Sequence, residues 1–291
     1  MSTHTDLNHT TGGSSAGSPD GSIPPVLSVN DLRYSYPARR SQAPVLAVEN
    51  VSLKIAPGTI TSIVGPSGCG KSTLLSLIAG LQPPDSGTVA WTPTETHDLI
   101  AKKQRLFTMV FQKDTVLPWL KVDSNIGWGL RFLDMTATER EARVAQLLEL
   151  VGLTDFRKSY PYQLSGGMRR RVAFLTGVAP MPQVMLLDEP FSALDEPTRV
   201  NIHVEVMRIV AELGMAVILV THDLSEAITM SDRVCILTKR PARVARVFDL
   251  PFGRDRDVRA LRETDEYQEL YKQMWHELNV QSGFASPAVA S

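Results

Sequence analysis

Only two cysteines occur in the 291 residues, and Cys69 and Cys235 lie far apart along the chain. Their spacing matches no metal-ligand pattern, and it does not give the dense framework of a small disulfide-bonded secreted domain. The scarcity of cysteine therefore excludes that class of protein and indicates a reducing compartment. We expect the chain to work in the cytosol.

An excess of charge of one sign is also missing. The 30 Lys and Arg residues are offset by 31 Asp and Glu residues, so the formal net charge is −1 at pH 7. A protein that binds nucleic acid or anionic lipid over a broad surface usually carries a strong positive field. The near-neutral balance excludes such a field, and we predict no nucleic-acid partner.

Long apolar runs are lacking as well. The longest uncharged apolar-rich stretch covers residues 172–187, contains Gly177, Pro180 and Pro182, and is too short for one membrane-spanning helix. The first basic residue is Arg33, so the N-terminal end lacks the basic segment of a secretory signal, and it has no apolar segment either. We expect a chain that is not exported. Any role at a membrane requires another protein that crosses it.

An alternation of strand-like and helix-like segments is present from residue 26 onward. A helix-like stretch begins near Lys71, another covers about residues 197–213 before Gly214, and a third covers residues 265–279. Runs of β-type residues occur at 26–29, 51–55, 59–64, 184–187, 216–220 and 234–237. A strand that leads through a Gly-rich turn into a helix is typical of an α/β fold.

The pattern is helical between about residues 113 and 181. Thr136 and Glu139 have the spacing of a capping box, and apolar residues recur at helical spacing from 144 to 151. This region is predicted to be a helical insertion in the α/β core. Residues 2–22 are mostly Ser, Thr and Gly, and this composition predicts a disordered tail.

A phosphate-binding loop is predicted at residues 65–72, which fit G-x-x-x-x-G-K-[ST] and lie between a predicted strand and a predicted helix. The glycines let backbone N–H groups converge on phosphate oxygens, and the helix N-terminus adds partial positive charge. Lys71 is expected to reach the β- and γ-phosphates of ATP, and Ser72 is expected to bind Mg²⁺. A chance Gly-rich turn is disfavoured because pattern and context agree. The predicted binding residues are Gly65, Pro66, Ser67, Gly68, Cys69, Gly70, Lys71, Ser72 and Thr73.

Two carboxylates, Asp188 and Glu189, end the apolar run at 184–187. Ligands bind at the carboxyl edge of a parallel sheet. Asp188 is predicted to hold Mg²⁺ through water. Glu189, on an extended chain, is predicted to point the other way and to polarise the water that attacks the γ-phosphate. A strand-end Asp-Glu pair alone is more often a solvated turn, but the phosphate loop upstream reverses that preference.

A second phosphate cradle is predicted at residues 164–168, Leu-Ser-Gly-Gly-Met, because this run precedes a helix-like stretch. These residues closely resemble the signature LSGGQ of the ATP-binding subunits of ABC transporters. That family holds ATP between the phosphate loop of one subunit and the signature of another. The resemblance extends over about residues 26–280, and several separate motifs occur in the family's order.

The resemblance implies roles for further residues. Tyr36 matches the aromatic that stacks on adenine, and Gln112 matches the glutamine that senses Mg²⁺ and couples to the membrane subunit. Asp195 matches the D-loop aspartate that contacts the partner subunit, and His222 matches the histidine that contacts the γ-phosphate. Each match is weak alone, since an ordinary core or solvated side chain would explain it. The resulting expectation is ATP contact by Tyr36, Ser165, Gly166, Gly167 and Asp195, catalysis by Glu189, His222, Lys71 and Gln112, and Mg²⁺ at Ser72, Gln112 and Asp188.

The sequence departs from the family's common pattern in three places. Met168 replaces Gln in the signature, a variant typical of the nitrate, sulfonate and taurine uptake branch. Arg170 stands where Gln is usual, and residues 174–177 replace a stretch that typically ends in Ala-Arg-Ala, so that Thr176 stands in place of the arginine. Residues 169–171 are predicted to form a solvated helix face, and the alternative is a special contact made by these arginines. These departures concern the hydrolysis rate more than the nucleotide site.

Two further stretches resemble the same uptake branch, residues 117–119 and residues 239–244. Leu117 and Trp119 are predicted to help form a groove that receives a short helix from a transmembrane subunit. The alternative is that Trp119 packs inside the helical region. Pro118 disfavours a continuous helix there.

The resemblance implies a P-loop ABC ATPase core of α/β class with a small antiparallel β element and a helical subdomain. It also implies a homodimer or pseudo-homodimer, transmembrane permease subunits and a solute-binding protein, with the chain bound at the cytoplasmic face of the inner membrane. The alternatives are a soluble ABC ATPase of DNA repair or translation and a P-loop kinase. The predicted division is a disordered tail at 1–25, the ATP-binding core at 26–112, the helical subdomain at 113–181, the rest of the core at 182–252, and a C-terminal helix and tail at 253–291.

Overall fold

Strands and helices alternate along the chain as the sequence predicts. The computed structural model describes residues 24–38, 43–92, 106–112, 116–192, 194–253 and 256–283. Residues 2–22, predicted to be disordered, and the last eight residues lie outside the described part of the chain. The strands are β1 (Leu27–Tyr36), β2 (Val45–Ile55), β3 (Ile60–Val64), β4 (Ser86–Trp91), β5 (Phe107–Val110), β6 (Val184–Asp188), β7 (Ala216–Val220), β8 (Arg233–Leu237) and β9 (Val244–Asp249). The helices are α1 (Lys71–Ile78), α2 (Val122–Ile126), α3 (Ala137–Leu150), α4 (Gly166–Val178), α5 (Glu196–Leu213), α6 (Leu224–Met230), α7 (Val258–Leu261) and α8 (Asp265–Ser282).

The larger sheet has six strands in the order β5-β6-β7-β3-β8-β9. Its first five strands are parallel, and β9 is antiparallel to β8. Every residue of β3 and β7 is buried, as expected for parallel strands covered on both faces. Met185 and Leu187 of β6 join the core with α4 and α5, whereas Val184 and Leu186 join the core on the other face with α1. The carboxyl ends of the parallel strands therefore meet at one open edge.

The smaller sheet has three antiparallel strands in the order β2-β1-β4. It confirms the predicted antiparallel element, although the runs at 26–29 and 51–55 are only parts of longer strands. Gly87 of β4 packs against an irregular pair in β1, where a side chain at position 87 would place its Cβ 2.5 Å from the Asp31 oxygen. Its φ of 89° also favours glycine. The sequence pattern did not predict three of the described strands, β4, β5 and β9.

The region between β5 and β6 is helical, as predicted. Thr136 caps α3 by accepting a hydrogen bond from the Glu139 backbone N–H at 3.2 Å, and the Glu139 carboxylate accepts one from the Thr136 N–H at 2.5 Å. The capping box is confirmed. On this helix, the side chains of Val144, Leu147 and Leu148 are buried. α2, α3 and α4 thus form a small helical layer beside the edge strand β5.

The last two predicted helices also form. Gly214, with a φ of 62°, ends α5 in the left-handed conformation. α8 covers residues 265–279, as predicted, and extends to Ser282. It packs on α6, where the Tyr267 hydroxyl donates to Ser225 Oγ at 2.9 Å. Among the helices of the described residues, none has the length and apolar character that crossing a membrane requires.

Candidate active site

The phosphate loop lies between β3 and α1, at the carboxyl edge of the large sheet. Lys71 is 6% exposed, and its ammonium donates to the backbone oxygens of Gly65 and Pro66 at 2.8 and 3.2 Å. Gly70 has a φ of 124°, and a Cβ there would lie 2.9 Å from the Ala47 oxygen. The loop therefore folds around the ammonium group, with the first turn of α1 behind it. The enclosed ammonium group and the helix N-terminus both favour binding of a chain of phosphates.

The two cysteines play no chemical part here. Cys69 is buried within the loop, and burial raises the pKa of its thiol. Burial raises the pKa of Cys235 to about 12. Both side chains are therefore neutral thiols at physiological pH, which suits a packing role for Cys69 in the loop.

Ser72 and Asp188 meet at the start of α1, where the Ser72 hydroxyl donates to Asp188 Oδ1 at 3.0 Å. Burial raises the pKa of the Asp188 carboxyl and the Glu189 charge adds to this, whereas the Ser72 hydrogen bond and Lys71 oppose it. A hydroxyl and a carboxylate are the oxygen ligands that Mg²⁺ prefers, and this ion usually takes only one or two protein ligands beside phosphates. No group of three or more His, Cys, Asp or Glu side chains that could hold a metal occurs among the described residues. The pair fits a magnesium ion that is shared with a phosphate ligand.

Three predicted catalytic residues, Glu189, Gln112 and His222, meet at the Glu189 carboxylate. Its Oε2 accepts a hydrogen bond from Gln112 Nε2 at 3.3 Å and lies 3.1 Å from His222 Nδ1. The prediction of an extended chain at this residue is wrong, because its φ is 45° and β6 ends at Asp188. The Glu189 N–H still donates to the Val220 oxygen of β7 at 2.9 Å. This uncommon left-handed turn aims the carboxylate at Gln112 and His222.

Tyr36 lies at the end of β1 beside the phosphate loop. Its hydroxyl is 2.7 Å from Thr73 Oγ1 in the first turn of α1, and its ring packs edge-to-face against Tyr34. The side chain is 37% exposed. An aromatic face is therefore available next to the predicted phosphate site.

The signature residues lie at a separate place. Ser165 caps α4 by accepting from the Met168 N–H at 3.3 Å, and Asp195 caps α5 by accepting from the Thr198 N–H at 3.2 Å. Hydrogen bonds from the Thr198 side chain and then from its backbone N–H lower the pKa of the Asp195 carboxyl. Both caps line one open cavity of about 360 Å³, together with Gly166, Gly167, Met168, Arg171, Leu194, Thr198 and Asn201. None of residues 65–73, all of which are described, lines this cavity.

The solvated helix face predicted for residues 169–171 is wrong for two of them. Arg170 is 4% exposed and donates to the backbone oxygen of Gln112 at 2.9 Å. Arg171 makes two hydrogen bonds of 2.7 Å to the Glu205 carboxylate of α5. The reason is that α4 packs between β5 and α5, so its polar side chains meet neighbouring elements instead of solvent.

Two other contacts near the site have no local sequence signal. Arg240 donates to the Gly68 oxygen of the phosphate loop at 2.9 Å. Arg199 of α5 donates to Asp223, the residue after His222, at 2.8 Å. Both pairs join segments that are distant in sequence, and only the fold brings them together.

The loop that carries Trp119 is ordered by one buried side chain. Asn125 accepts from the Leu117 N–H at 2.7 Å, and its amide donates to the backbone oxygens of Leu117, Leu120 and Lys121. Trp119 itself is 69% exposed. The alternative in which Trp119 packs inside the helical region is therefore wrong.

Comparison with known proteins shows the family. The ABC transporter family model matches residues 48–192. The taurine import ATP-binding protein TauB of Jannaschia sp. is 38% identical over 84% of this chain and 89% of that protein. The nitrate import ATP-binding protein NrtC of Synechococcus elongatus is 40% identical over 79% of this chain, which spans only 35% of that protein's length.

A solved structure agrees with these relatives. The dimeric structure of MJ0796, a bacterial ABC transporter cassette, is 30% identical with a TM-score of 0.65, and it covers 78% of this chain and 100% of its own. Sequence and fold thus point to one family over most of the chain. The chain belongs to the ABC transporter family, as one of its ATP-binding, ATP-hydrolysing members.

Proposed function

We propose that this chain powers a solute importer by binding and hydrolysing ATP on behalf of transmembrane permease subunits. The observation that carries the proposal is the Glu189 carboxylate, held between Gln112 and His222 at the same sheet edge as Lys71 and the Ser72–Asp188 pair. The import function is supported by TauB and NrtC, which are both named import ATP-binding proteins. These relatives favour it over a soluble ABC ATPase of DNA repair or translation.

ATP binding is assigned to the phosphate loop and its neighbours. The backbone N–H groups of residues 65–73 and the Lys71 ammonium bind the phosphates, while the Tyr36 ring stacks on the adenine. Ser72 and Asp188 would hold Mg²⁺, and Gln112 is the third predicted ligand. When bound, this ion neutralises charge on the β- and γ-phosphate oxygens.

Hydrolysis is assigned to the residues around Glu189. The carboxylate accepts a hydrogen bond from the attacking water and aligns it for in-line displacement at the γ-phosphate. His222, on the same carboxylate oxygen as Gln112, contacts the γ-phosphate and stabilises the charge that develops there. Gln112 orients the carboxylate from the other side.

The signature completes the ATP site of another chain. Ser165, Gly166 and Gly167 offer backbone N–H groups at the N-terminus of α4, and Asp195 lies in the same cavity. This cavity lies apart from the phosphate loop of its own chain, so ATP contacts both only when two chains meet. We infer a homodimer, or a pseudo-homodimer with a related chain, that holds two ATP molecules at its interface.

A groove beside Trp119 suits the membrane partner. A cavity of about 450 Å³ borders this loop at Leu120, but neither Leu117 nor Trp119, which were predicted to form the groove, lines it. Its lining residues are Leu120, Asp123, Ser124, Gly127, Trp128, Arg131, Arg140, Glu141, Val144, Arg157 and Lys158. Four of these side chains are basic and two are acidic, so the groove favours an acidic residue on its occupant. We assign it to a short helix of the transmembrane subunit, with Trp119 as an anchor.

The location and the solute follow from the same assignment. The chain binds peripherally at the cytoplasmic face of the inner membrane, and a solute-binding protein delivers the solute. We propose a solute of the nitrate, sulfonate or taurine type, all of which carry an anionic oxygen group. Purification of the transporter with its solute-binding protein, followed by measurement of that protein's affinity for nitrate, an aliphatic sulfonate and taurine, tests the solute. If the protein binds none of the three compounds, the proposed solute is contradicted.

The replacement Glu189→Gln tests the catalytic assignment. It keeps the side-chain shape but removes the base, so turnover should fall by about 10²- to 10⁴-fold while ATP binding persists. Steady-state hydrolysis and equilibrium ATP binding measure the two effects. Glu269→Gln, an exposed change on α8, is the matched control. Near-normal turnover in Glu189→Gln would remove this residue from the mechanism.

A further inference from the structure

Arg170 is a buried cation on the helix that begins with the signature. Its side chain is 4% exposed, and its guanidinium donates to the Gln112 oxygen at 2.9 Å and lies 3.5 Å from the Phe111 oxygen. A buried guanidinium needs such acceptors because its charge is costly to remove from water without them. The contact therefore fixes the main chain at Gln112 against α4.

The rest of α4 is packed closely on the strand that leads to Gln112. The Thr108 hydroxyl of β5 donates to the Gly177 oxygen at 2.8 Å. A Cβ at Gly177 would lie 3.0 Å from a Val110 methyl and 3.1 Å from the Met185 methyl, so the absence of a side chain lets the helix approach the strand. Gly177 thus docks one end of α4 on β5, and Arg170 docks the other end on the main chain that follows β5.

The contact at Gln112 continues into the hydrolytic residues. The Gln112 amide donates to Glu189 Oε2 at 3.3 Å, and the same oxygen lies 3.1 Å from His222 Nδ1. A main-chain shift at Gln112 would lengthen the first of these contacts. The signature helix is therefore joined through Arg170 and Gln112 to the Glu189 carboxylate of its own chain.

We propose that Arg170 is a positioning residue for hydrolysis, which holds Gln112 in line with Glu189 and ties that alignment to the signature helix. The inference rests on the proposed function, since the signature serves the ATP of a second chain and Glu189 serves the first. Movement of α4 on binding the partner's ATP is then transmitted to the hydrolytic residues of the same chain. Arg170 thereby links the two ATP sites of a dimer.

The change Arg170→Met tests this inference, because it keeps an unbranched apolar side chain and removes the hydrogen-bond donors. In the purified full-length chain, kcat per folded molecule should fall about tenfold, the effect of one charged hydrogen bond. The Kd for ATP should stay within about twofold, because the two hydrogen bonds of Arg170 described above go to Phe111 and Gln112 and not to the phosphate loop. Arg170→Lys keeps a charged donor and should recover most of the lost kcat.

A double-mutant cycle with Gln112→Ala separates positioning from mere packing. If Arg170 acts through Gln112, adding Arg170→Met to Gln112→Ala should lower kcat by no more than about twofold further. Arg208→Met is the control for loss of another arginine–carbonyl hydrogen bond, because Arg208 of α5, which is more exposed than Arg170, donates to the backbone oxygen of Leu150. If Arg170→Met does not fold, Arg170→Leu, which also lacks a hydrogen-bond donor, takes its place in the same cycle.

The outcomes are distinct. An unchanged kcat in the Arg170 variant, a kcat loss no larger than that of Arg208→Met, or losses that multiply fully with Gln112→Ala would each overturn the inference. Failure of the proposed function is recognised separately, because the wild-type chain would then hydrolyse no ATP or would lose nothing on Glu189→Gln.

Discussion

The phosphate loop and the signature are both helix N-termini, yet they are built differently. In the loop, the buried Lys71 ammonium donates to the oxygens of Gly65 and Pro66, and the Ser72 hydroxyl donates to Asp188. At the signature, Ser165 caps its own helix beside an open cavity of about 360 Å³. The loop brings a buried cation and the Ser72–Asp188 pair together, whereas the signature offers backbone N–H groups beside a cavity that Arg171 and Asp195 also line.

This difference indicates that the two sites bind a phosphate ligand under different conditions. A phosphate ligand alone can occupy the loop, because cation, backbone N–H groups and carboxylates converge there. The signature cavity is lined by one cation, Arg171, and one carboxylate, Asp195, and in the proposed function it receives the nucleotide from another chain. We therefore propose that the unit that hydrolyses ATP is larger than one chain.

The comparison breaks if both cradles bind ATP in the same way. Lys71→Met should weaken ATP binding by about 10- to 100-fold, since a charged hydrogen bond to phosphate is lost. Gly167→Asp should lower turnover by about 10²-fold, the scale of a lost transition-state donor, because its carboxylate opposes phosphate. ATP binding to dilute monomers should change in the first variant only. Equal weakening of monomer binding in both variants would contradict the two-cradle account.

A third surface, at Trp119, sharpens the comparison because it belongs to neither cradle. Trp119→Ala should cost about 2 kcal/mol of docking energy, or about 30-fold in the affinity for the transmembrane subunit. ATP binding by the isolated chain should be unchanged. Co-purification and coupled transport measure the effect. An unfolded variant, or one that assembles and transports normally, would end the docking assignment.

The smallest effect concerns the helical layer that carries the signature. Thr136→Ala removes the capping box of α3 and should lower the free energy of unfolding by about 1 kcal/mol. Thr138→Ala, an exposed change in the first turn of the same helix, should leave it nearly unchanged. Denaturant titration measures both. A change in ATP affinity in Thr136→Ala would show that the helical layer and the phosphate loop are not independent.

Local patterns explain why so much of the site could be predicted. The phosphate loop, the acids at the end of β6 and the cap of α3 each depend on a few adjacent residues, so the spacing alone carries the signal. The first four residues of β6 are apolar and buried, which places Asp188 at the sheet edge. The roles assigned to these residues in binding and catalysis stay predictions, as does the division of the chain into domains.

The features that could not be predicted depend on distant contacts. Arg170 is buried because α4 meets the end of β5, and a run of three arginines on a helix gives no sign of this. No motif in the sequence singles out Asn125, yet its four hydrogen bonds support the Trp119 loop. The short strands β4 and β5 have too little apolar alternation to be predicted from the sequence. They form because they pair with β1 and β6, respectively.

Sedimentation of the Glu189→Gln variant tests the central claim most directly, since this variant should bind ATP without consuming it. With saturating MgATP the species should change from one chain to two, and the double variant Glu189→Gln with Gly167→Asp should stay monomeric. Omission of ATP should return the first variant to the monomer. A Glu189→Gln chain that stays monomeric with saturating MgATP, both alone and with its transmembrane subunits, would contradict the account in which two chains complete each ATP site.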